Sequence, residues 1–375
     1  LRTVPSQLQL QLPLRSLTVT ATAPYTLSSK LSGARRDSDP VSSGKRNGSF
    51  SSTGSNISTA RRFGMRLNVG KRDEGRESGE ACPLTPSFKG NKIKVIEGRG
   101  FNDDQMKNPR YMLPVDHEEM DRLNMQHYAI KYHLQGNFQA PIEQALDEGI
   151  DVLDVGCGTG IWSLEMAAEY PDSRFVGTDV AATYPSDIHP RNVKFVRADT
   201  TKGLPFPDKS FDFVYQRSMT LCYTLDQWEF VIDELIRVTK PGGWIQLVEI
   251  DMRFDSRGPQ FTQWNETFLR AMRSRSIDGS IGVRLSSRLQ YRGLHQVATN
   301  SSTFPCGWGS EMGVYNGNLT LMAMGATRPA LQGAMGLCAE EYYGMMREAK
   351  KEFCEFATTG NTWYAVGKRP MWDYI

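Results

Sequence analysis

The chain has 375 residues, 44 Lys and Arg against 42 Asp and Glu, and a formal net charge of +2, which is enough length for one large domain or two small ones and points neither towards nor away from nucleic acid. Six cysteines without a C-x-x-C pair offer no zinc-ligand spacing and suit a reducing compartment, and five histidines include no H-E-x-x-H, so no metal site is expected. No apolar run reaches the roughly 18 residues of a membrane span.

Residues 1–95 are rich in Ser, Thr, Gly, Arg and Pro, as in Ser51-Ser52-Thr53-Gly54-Ser55. Such a segment cannot bury enough apolar surface to offset its chain entropy, and it reads as a disordered tail. Up to Lys71, eleven Lys and Arg stand against only Asp37 and Asp39. A solvated tail, a mitochondrial presequence and a basic nuclear or nucleic-acid-binding tail all fit that bias. Pro5, Pro13 and Pro24 count against the long amphipathic helix of a presequence. The apolar stretch of a secretory signal is missing, so the location reads as intracellular: cytoplasmic or nuclear, with mitochondrial as the alternative. Leu1 in place of Met reads as an incomplete or processed start.

A structured region is expected over 105–375. Met120, Leu123 and Tyr128 fall at helical spacing, with Asp116 as N-cap and Glu119 three residues on. A short helix is expected from Pro141 to Glu148. Strands are then expected at Val152–Val155, Arg174–Thr178, Val193–Arg197, Phe211–Tyr215 and Trp244–Val248. Helices are expected at Trp162–Glu169 and Leu225–Thr239, with a turn at Pro241-Gly242-Gly243. This alternation predicts an α/β fold with a Rossmann-like, seven-stranded, mostly parallel sheet, and a ligand-binding core over 150–250. Over 255–375, helices at Phe261–Ser274 and Val283–Tyr291 precede strands near His295–Phe304 and Thr362–Lys368 that complete the sheet. Between those strands, Leu319–Phe356 reads as a helical, Met-rich insertion covering the open end of the site. Its methionines read as core filler rather than a binding box.

Chemistry concentrates at Val152-Leu153-Asp154-Val155-Gly156-Cys157-Gly158-Thr159-Gly160. A strand, a glycine-dense turn and a helix hold a nucleotide-like ligand at the end of a parallel sheet. Ile161 stands where a dinucleotide fingerprint needs its third glycine, and no phosphate-loop lysine follows. Asp154 would repel a phosphate and suits a cationic or hydroxyl-bearing ligand. Asp179 ends the second strand, 23 residues after Gly156, where a carboxylate can accept both hydroxyls of a ribose. Asp199 follows the third strand, placed either to meet an adenine amino group or to cap the next helix. Phe211-Asp212-Phe213-Val214 leads to Tyr215-Gln216-Arg217, where Gln216 or Arg217 is a candidate for contact with ligand or acceptor.

The turn resembles motif I, (D/E)-x-G-x-G-x-G, of class I S-adenosylmethionine (SAM) methyltransferases. A closer likeness rests on Tyr111-x-Leu113-Pro114-x-Asp116-x-x-Glu119, Gln126-His127, Gly136-Asn137-Phe138, Trp162, Leu204-Pro205-Phe206 and Val238-Thr239-Lys240-Pro241-Gly242-Gly243-Trp244. Together these resemble the fungal LaeA/UMTA-type methyltransferase-like family over residues 110–250. The resemblance implies SAM as cofactor, held by Asp154, Gly156, Gly158, Gly160, Asp179, Asp199 and Gln216. It also implies a segment folding over the cofactor, with Tyr111, Gln126 and Gly136 as candidates.

Methyl transfer from a sulfonium needs orientation more than acid–base chemistry, so no catalytic residue can be named by type. No Asn/Asp-Pro-Pro-Tyr loop follows the fourth strand, and the sole Pro-Cys pair, Pro305-Cys306, lies far downstream and reads as structural. Both points argue against a nucleic-acid base as acceptor. The expected function is methyl transfer to a small molecule or protein. The alternative is a SAM-binding regulator with little turnover that acts through protein partners. A nicotinamide oxidoreductase is the weaker rival, because of Ile161.

Overall fold

The computed structural model describes residues 93–102, 111–187 and 189–372, all within one compact unit, Gly79–Ile375. The expectation of disorder over 1–95 lies outside the described residues except at its last three. There, β1 (Ile93–Ile96) pairs antiparallel with β2 (Arg99–Asn102), so the structured region starts earlier than the composition indicated. The short alternation Ile-Lys-Val-Ile suffices for a strand once a partner lies beside it.

Helix α1 (His117–His133) begins at Asp116, whose carboxylate accepts the Glu119 N–H at 3.0 Å. Glu119 does not return the bond; it pairs with Arg122 at 2.7 Å instead. Helix α2 (Glu143–Glu148) starts two residues after Pro141, later than expected, with Ile142 as N-cap. Next come β3 (Asp151–Val155), α3 (Ile161–Glu169), β4 (Arg174–Asp179), β5 (Val193–Arg197) and β6 (Phe211–Arg217). Helix α4 (Leu225–Val238) carries a reciprocal capping box between Thr224 and Gln227, and its apolar stripe Trp228, Val231, Ile232, Leu235 and Val238 is buried.

The expected turn at Pro241-Gly242-Gly243 is instead part of one long strand, β7 (Thr239–Ile250). Its register on β6 jumps from Phe211–Thr239 to Phe213–Trp244, so the four residues 240–243 stand opposite the single residue Asp212 in an outsized bulge. Backbone bonds from Gly242 N to Arg369 O (3.0 Å) and from Arg369 N to Gly243 O (2.8 Å) hold it in the sheet. Beyond it lie α5 (Pro259–Arg273), α6 (Leu285–Tyr291), β8 (His295–Pro305), α7 (Glu311–Met335), α8 (Ala339–Glu355) and β9 (Thr359–Lys368).

The seven-stranded sheet runs β5-β4-β3-β6-β7-β9-β8, parallel from β5 to β7 and antiparallel at β9. Its order reverses between β3 and β6, and ligands bind at the strand ends of such a switch point. Both faces are covered, so central strands are apolar on both sides. Leu153, Val155, Val214 and Leu247 pack against α4, while Val152, Phe213, Tyr215 and Val248 share a core with Trp162 and Met166 of α3. Each fully buried large side chain contributes about 1.5–3 kcal/mol. A third core forms among α5, α7 and α8, where Met324 and Met345 are filler, as read from sequence. Cys306 is buried there too, its thiol 3.4 Å from Thr320 Oγ1.

Candidate functional site

The turn after β3 is built by three glycines in the left-handed region: Gly156 (φ 72°), Gly158 (φ 55°) and Gly160 (φ 74°). Each has a different neighbour. A Cβ on Gly156 would lie 2.3 Å from Met219 Sδ, and one on Gly160 would lie 2.6 Å from the Phe195 ring. A Cβ on Gly158 would meet only Leu123 Cδ1, at 3.9 Å. Two glycines therefore let the protein pack on itself, and Gly158 leaves backbone bare beside open space.

That space is a cleft of about 730 Å³ above the ends of β3, β4 and β6. The size falls in the range of about 300–1,000 Å³ usual for small-molecule sites. Asp154, Gly156, Gly158, Asp179, Asp199 and Tyr111 line it. Gly160 does not, sitting instead as the N-cap of α3.

Asp179 is the central carboxylate. Its Oδ2 accepts the Gly158 N–H at 2.9 Å and its Oδ1 accepts the Ala181 N–H at 2.8 Å. Burial raises its pKa despite these bonds. Each oxygen keeps acceptor capacity, and the bonds described are to neutral backbone groups, a setting that suits paired hydroxyl donors. Asp154 is more deeply buried, accepts Ser163 Oγ at 2.6 Å, and is pushed up to about 6 by desolvation. It thus pins α3 to β3 as well as bordering the cleft. Asp199 caps a 3-10 turn (Thr200–Lys202), accepting both Thr201 N (3.1 Å) and Thr201 Oγ1 (2.6 Å). Burial alone would raise its pKa, but those bonds and Lys202 outweigh it and hold the carboxyl low. The capping role is therefore occupied, on the rim of the cleft.

Gln216 is not brought into the cleft. Strand alternation sends it to the opposite face from Tyr215 and Arg217. There it is fully buried, with Tyr223 Oη 3.5 Å from its Oε1. Arg217, the next residue, borders the cleft and donates to His127 Nδ1 at 3.1 Å. His127 Nε2 in turn lies 2.7 Å from Glu165 Oε2, and Lys131 also pairs with Glu165. The His127 bond first, with Lys131, holds Glu165 down at about 2, while burial lowers His127 towards its neutral form. This relay clamps α1 onto α3.

Sequence reading missed several lining residues. Leu123 of α1 roofs Gly158, and Thr183 donates to Gly158 O at 2.8 Å. Ser218 adopts φ 61°, rare for a residue other than glycine, at the end of β6. Nothing in its residue type announces that conformation. Among the described residues no cluster of His, Cys, Asp or Glu could hold a metal ion, and no helix is long and apolar enough to cross a membrane.

Strand order, glycine turn and strand-end carboxylates together define a class I methyltransferase domain, and residues 152–243 match the family described as "Methyltransferase domain". More particularly, the chain is a distant homologue of fungal secondary-metabolism regulators and fungal methyltransferases. It is 34% identical over 145 residues to "Secondary metabolism regulator LAE1" of Cochliobolus heterostrophus, covering 38% of this chain and 46% of that protein. It is 25% identical over 277 residues to "Methyltransferase str2" of Strobilurus tenacellus, covering 71% of this chain and 98% of that protein. The chain thus spans less than half the length of the regulator. Among solved structures, a SAM dependent methyltransferase from Archaeoglobus fulgidus overlays at TM-score 0.40 and 13% identity, covering 68% of this chain and all of that one.

Proposed function

We propose that the cleft binds SAM and that the protein transfers its methyl group to a small-molecule or protein acceptor. The observation that carries this reading is Asp179, a buried carboxylate bonded to the backbone N–H groups of Gly158 and Ala181. A ribose diol supplies the two hydroxyl donors such a group can still accept. In this reading Asp199 is assigned to the adenine, and Gly156, Gly158 and Asp154 to the methionine portion. Tyr111 and Leu123 also line the cleft. Gln216 is withdrawn from this set, and Arg217 takes its place on the lining.

Bound SAM supplies a methyl group already activated by a sulfonium centre, so the protein's part is to orient donor and acceptor. The chain's own groups fit that part. Tyr111 stays a neutral phenol, since burial raises its pKa well above normal. Both nitrogens of the His127 imidazole are engaged, Nδ1 by Arg217 and Nε2 by Glu165. Isothermal titration of the full chain with SAM tests the reading. One saturable site is expected, weakened about tenfold or more by Asp179→Ala and abolished by Gly158→Arg. Absence of binding by the wild type would sink it.

The similarity to the regulator LAE1 supports a second reading, in which SAM binds but turnover is slight and partners convey the effect. Robust methylation of a purified acceptor by the isolated protein would exclude it.

A further inference from the structure

A second cavity adjoins the cleft along a boundary of Tyr111, Leu123, Gln126 and Ser218, which border both spaces. Its volume is about 140 Å³. An apolar protein cavity of roughly 150 Å³ holds one benzene ring. Further lining comes from α1 (Ile130, His133), α5 (Trp264, Phe268), α7 (Leu319, Ala323), the segment after β7 (Met252, Phe254) and the strand residues Ile250, Phe304 and Thr362.

Two features define what the chamber accepts. First, four of its lining rings form two stacked pairs. Trp264 and Phe268 stack at 5.1 Å, and His133 stacks on Phe304 at 5.1 Å. Aromatic walls favour a planar guest. Second, the lining carries no uncompensated charge. Arg122 is paired with Glu119 at 2.7 Å and 2.9 Å. His133 is held neutral by burial, with Nε2 3.1 Å from Asn316 Oδ1. Thr320 and Thr327 donate to backbone carbonyls of their own helix at 2.9 Å. A charged guest would lose its hydration and find no counter-charge.

We propose that this chamber is the acceptor site, and that it takes an uncharged acceptor built on a single aromatic ring. The ring fills the space between α5 and α7, and the nucleophilic atom faces the cleft where Tyr111, Leu123, Gln126 and Ser218 border both spaces. This rests on the methyl-transfer reading above. In the transfer, the acceptor heteroatom's lone pair bonds to the methyl carbon. The carbon–sulfur bond breaks with its electron pair left on sulfur, and the acceptor proton passes to water.

The test uses the full chain titrated with p-cresol as neutral probe and p-toluate as its charged counterpart, followed by ligand-observed NMR, with SAM titrated in parallel. One saturable p-cresol site is expected, with p-toluate weaker by about tenfold or more. Ala323→Phe fills the chamber and should weaken p-cresol by about tenfold, Ala323→Leu by less, with SAM affinity unchanged within about twofold. The smaller variant guards against overpacking of the larger, and thermal melts establish that both fold. Equal binding of p-toluate, or p-cresol affinity untouched in both folded variants, would overturn the inference. The two titrations separate the failures: no SAM binding overturns methyl transfer, whereas SAM binding without p-cresol binding overturns the chamber assignment alone.

Discussion

Gln126 Nε2 donates to Ser218 Oγ at 2.8 Å, joining α1 to the end of β6 at the boundary between cleft and chamber. The bond is one step in a polar rail. Arg122 Nη1 donates to Gln126 Oε1 at 2.6 Å, and Glu119 holds the Arg122 guanidinium. One face of α1 is thereby fixed over the switch point of the sheet. The helix and the strand end are 92 positions apart in sequence, so tertiary structure alone brings them together.

Ser218 carries backbone strain at this junction, with φ 61°. A β-branched side chain tolerates that conformation least. Ser218→Val should cost about 1–3 kcal/mol, while Ser218→Gly, relieving strain but losing one bond, should stay within about 1 kcal/mol of wild type. Urea unfolding midpoints at unchanged m-value measure both.

The glycine turn gives a paired prediction. Gly160→Ala drives a Cβ to 2.6 Å from the Phe195 ring, so it should destabilise by about 2 kcal/mol or more. Gly158→Ala meets no such obstacle and should cost only about 1–2 kcal/mol from its backbone conformation. Its methyl group enters the cleft, however, so SAM affinity should fall about tenfold. Unfolding and titration of the two variants side by side would separate the packing glycine from the ligand glycine.

Glu249 supplies a pH dependence. It is buried, accepts Met219 N, Thr220 N and Thr220 Oγ1 at 2.6–2.9 Å, and is raised by desolvation from 4.5 to about 7. The folded state therefore binds this proton more tightly than the unfolded chain. Its contribution is complete below 4.5 and is lost as pH rises through about 7. At about 1.4 kcal/mol per unit, the swing is on the order of 3 kcal/mol. Glu249→Gln should flatten that part of the stability–pH curve, whatever its effect on absolute stability. A wild-type curve already flat across this window would contradict the assignment.

Glu352 of α8 caps a neighbouring helix. Its two oxygens accept the Gln260 and Phe261 N–H groups at 2.9 Å, serving the first turn of α5. The N-cap residue itself is Gly258, where a Cβ would strike the Glu352 carboxylate at 2.5 Å. Glu352→Ala should cost about 2 kcal/mol in unfolding free energy, and Glu352→Gln, which keeps one acceptor, roughly half as much.

The sheet and the turn were legible because their signals are local. Apolar blocks at Val152–Val155 and Val193–Arg197, a helical stripe through Trp228 and Leu235, and three glycines in five residues each speak through near neighbours. Gln216 misled for a local reason too: at a strand end, a shift of one residue exchanges the two faces, and Arg217 rather than Gln216 reaches the cleft. The bulge at Pro241-Gly242-Gly243 was hidden because its support comes from the distant Arg369 backbone. The chamber was not legible at all. Its walls come from α1, α5, α7 and three strand ends, and each wall residue reads alone as ordinary core.

A crystal structure of the full chain with SAM tests the central claim most directly. The account predicts SAM in the cleft, with both ribose hydroxyls within hydrogen-bond distance of Asp179 and the sulfonium methyl directed at the boundary of Tyr111, Leu123, Gln126 and Ser218. A ribose held elsewhere, or a methyl group turned away from that boundary, would contradict it.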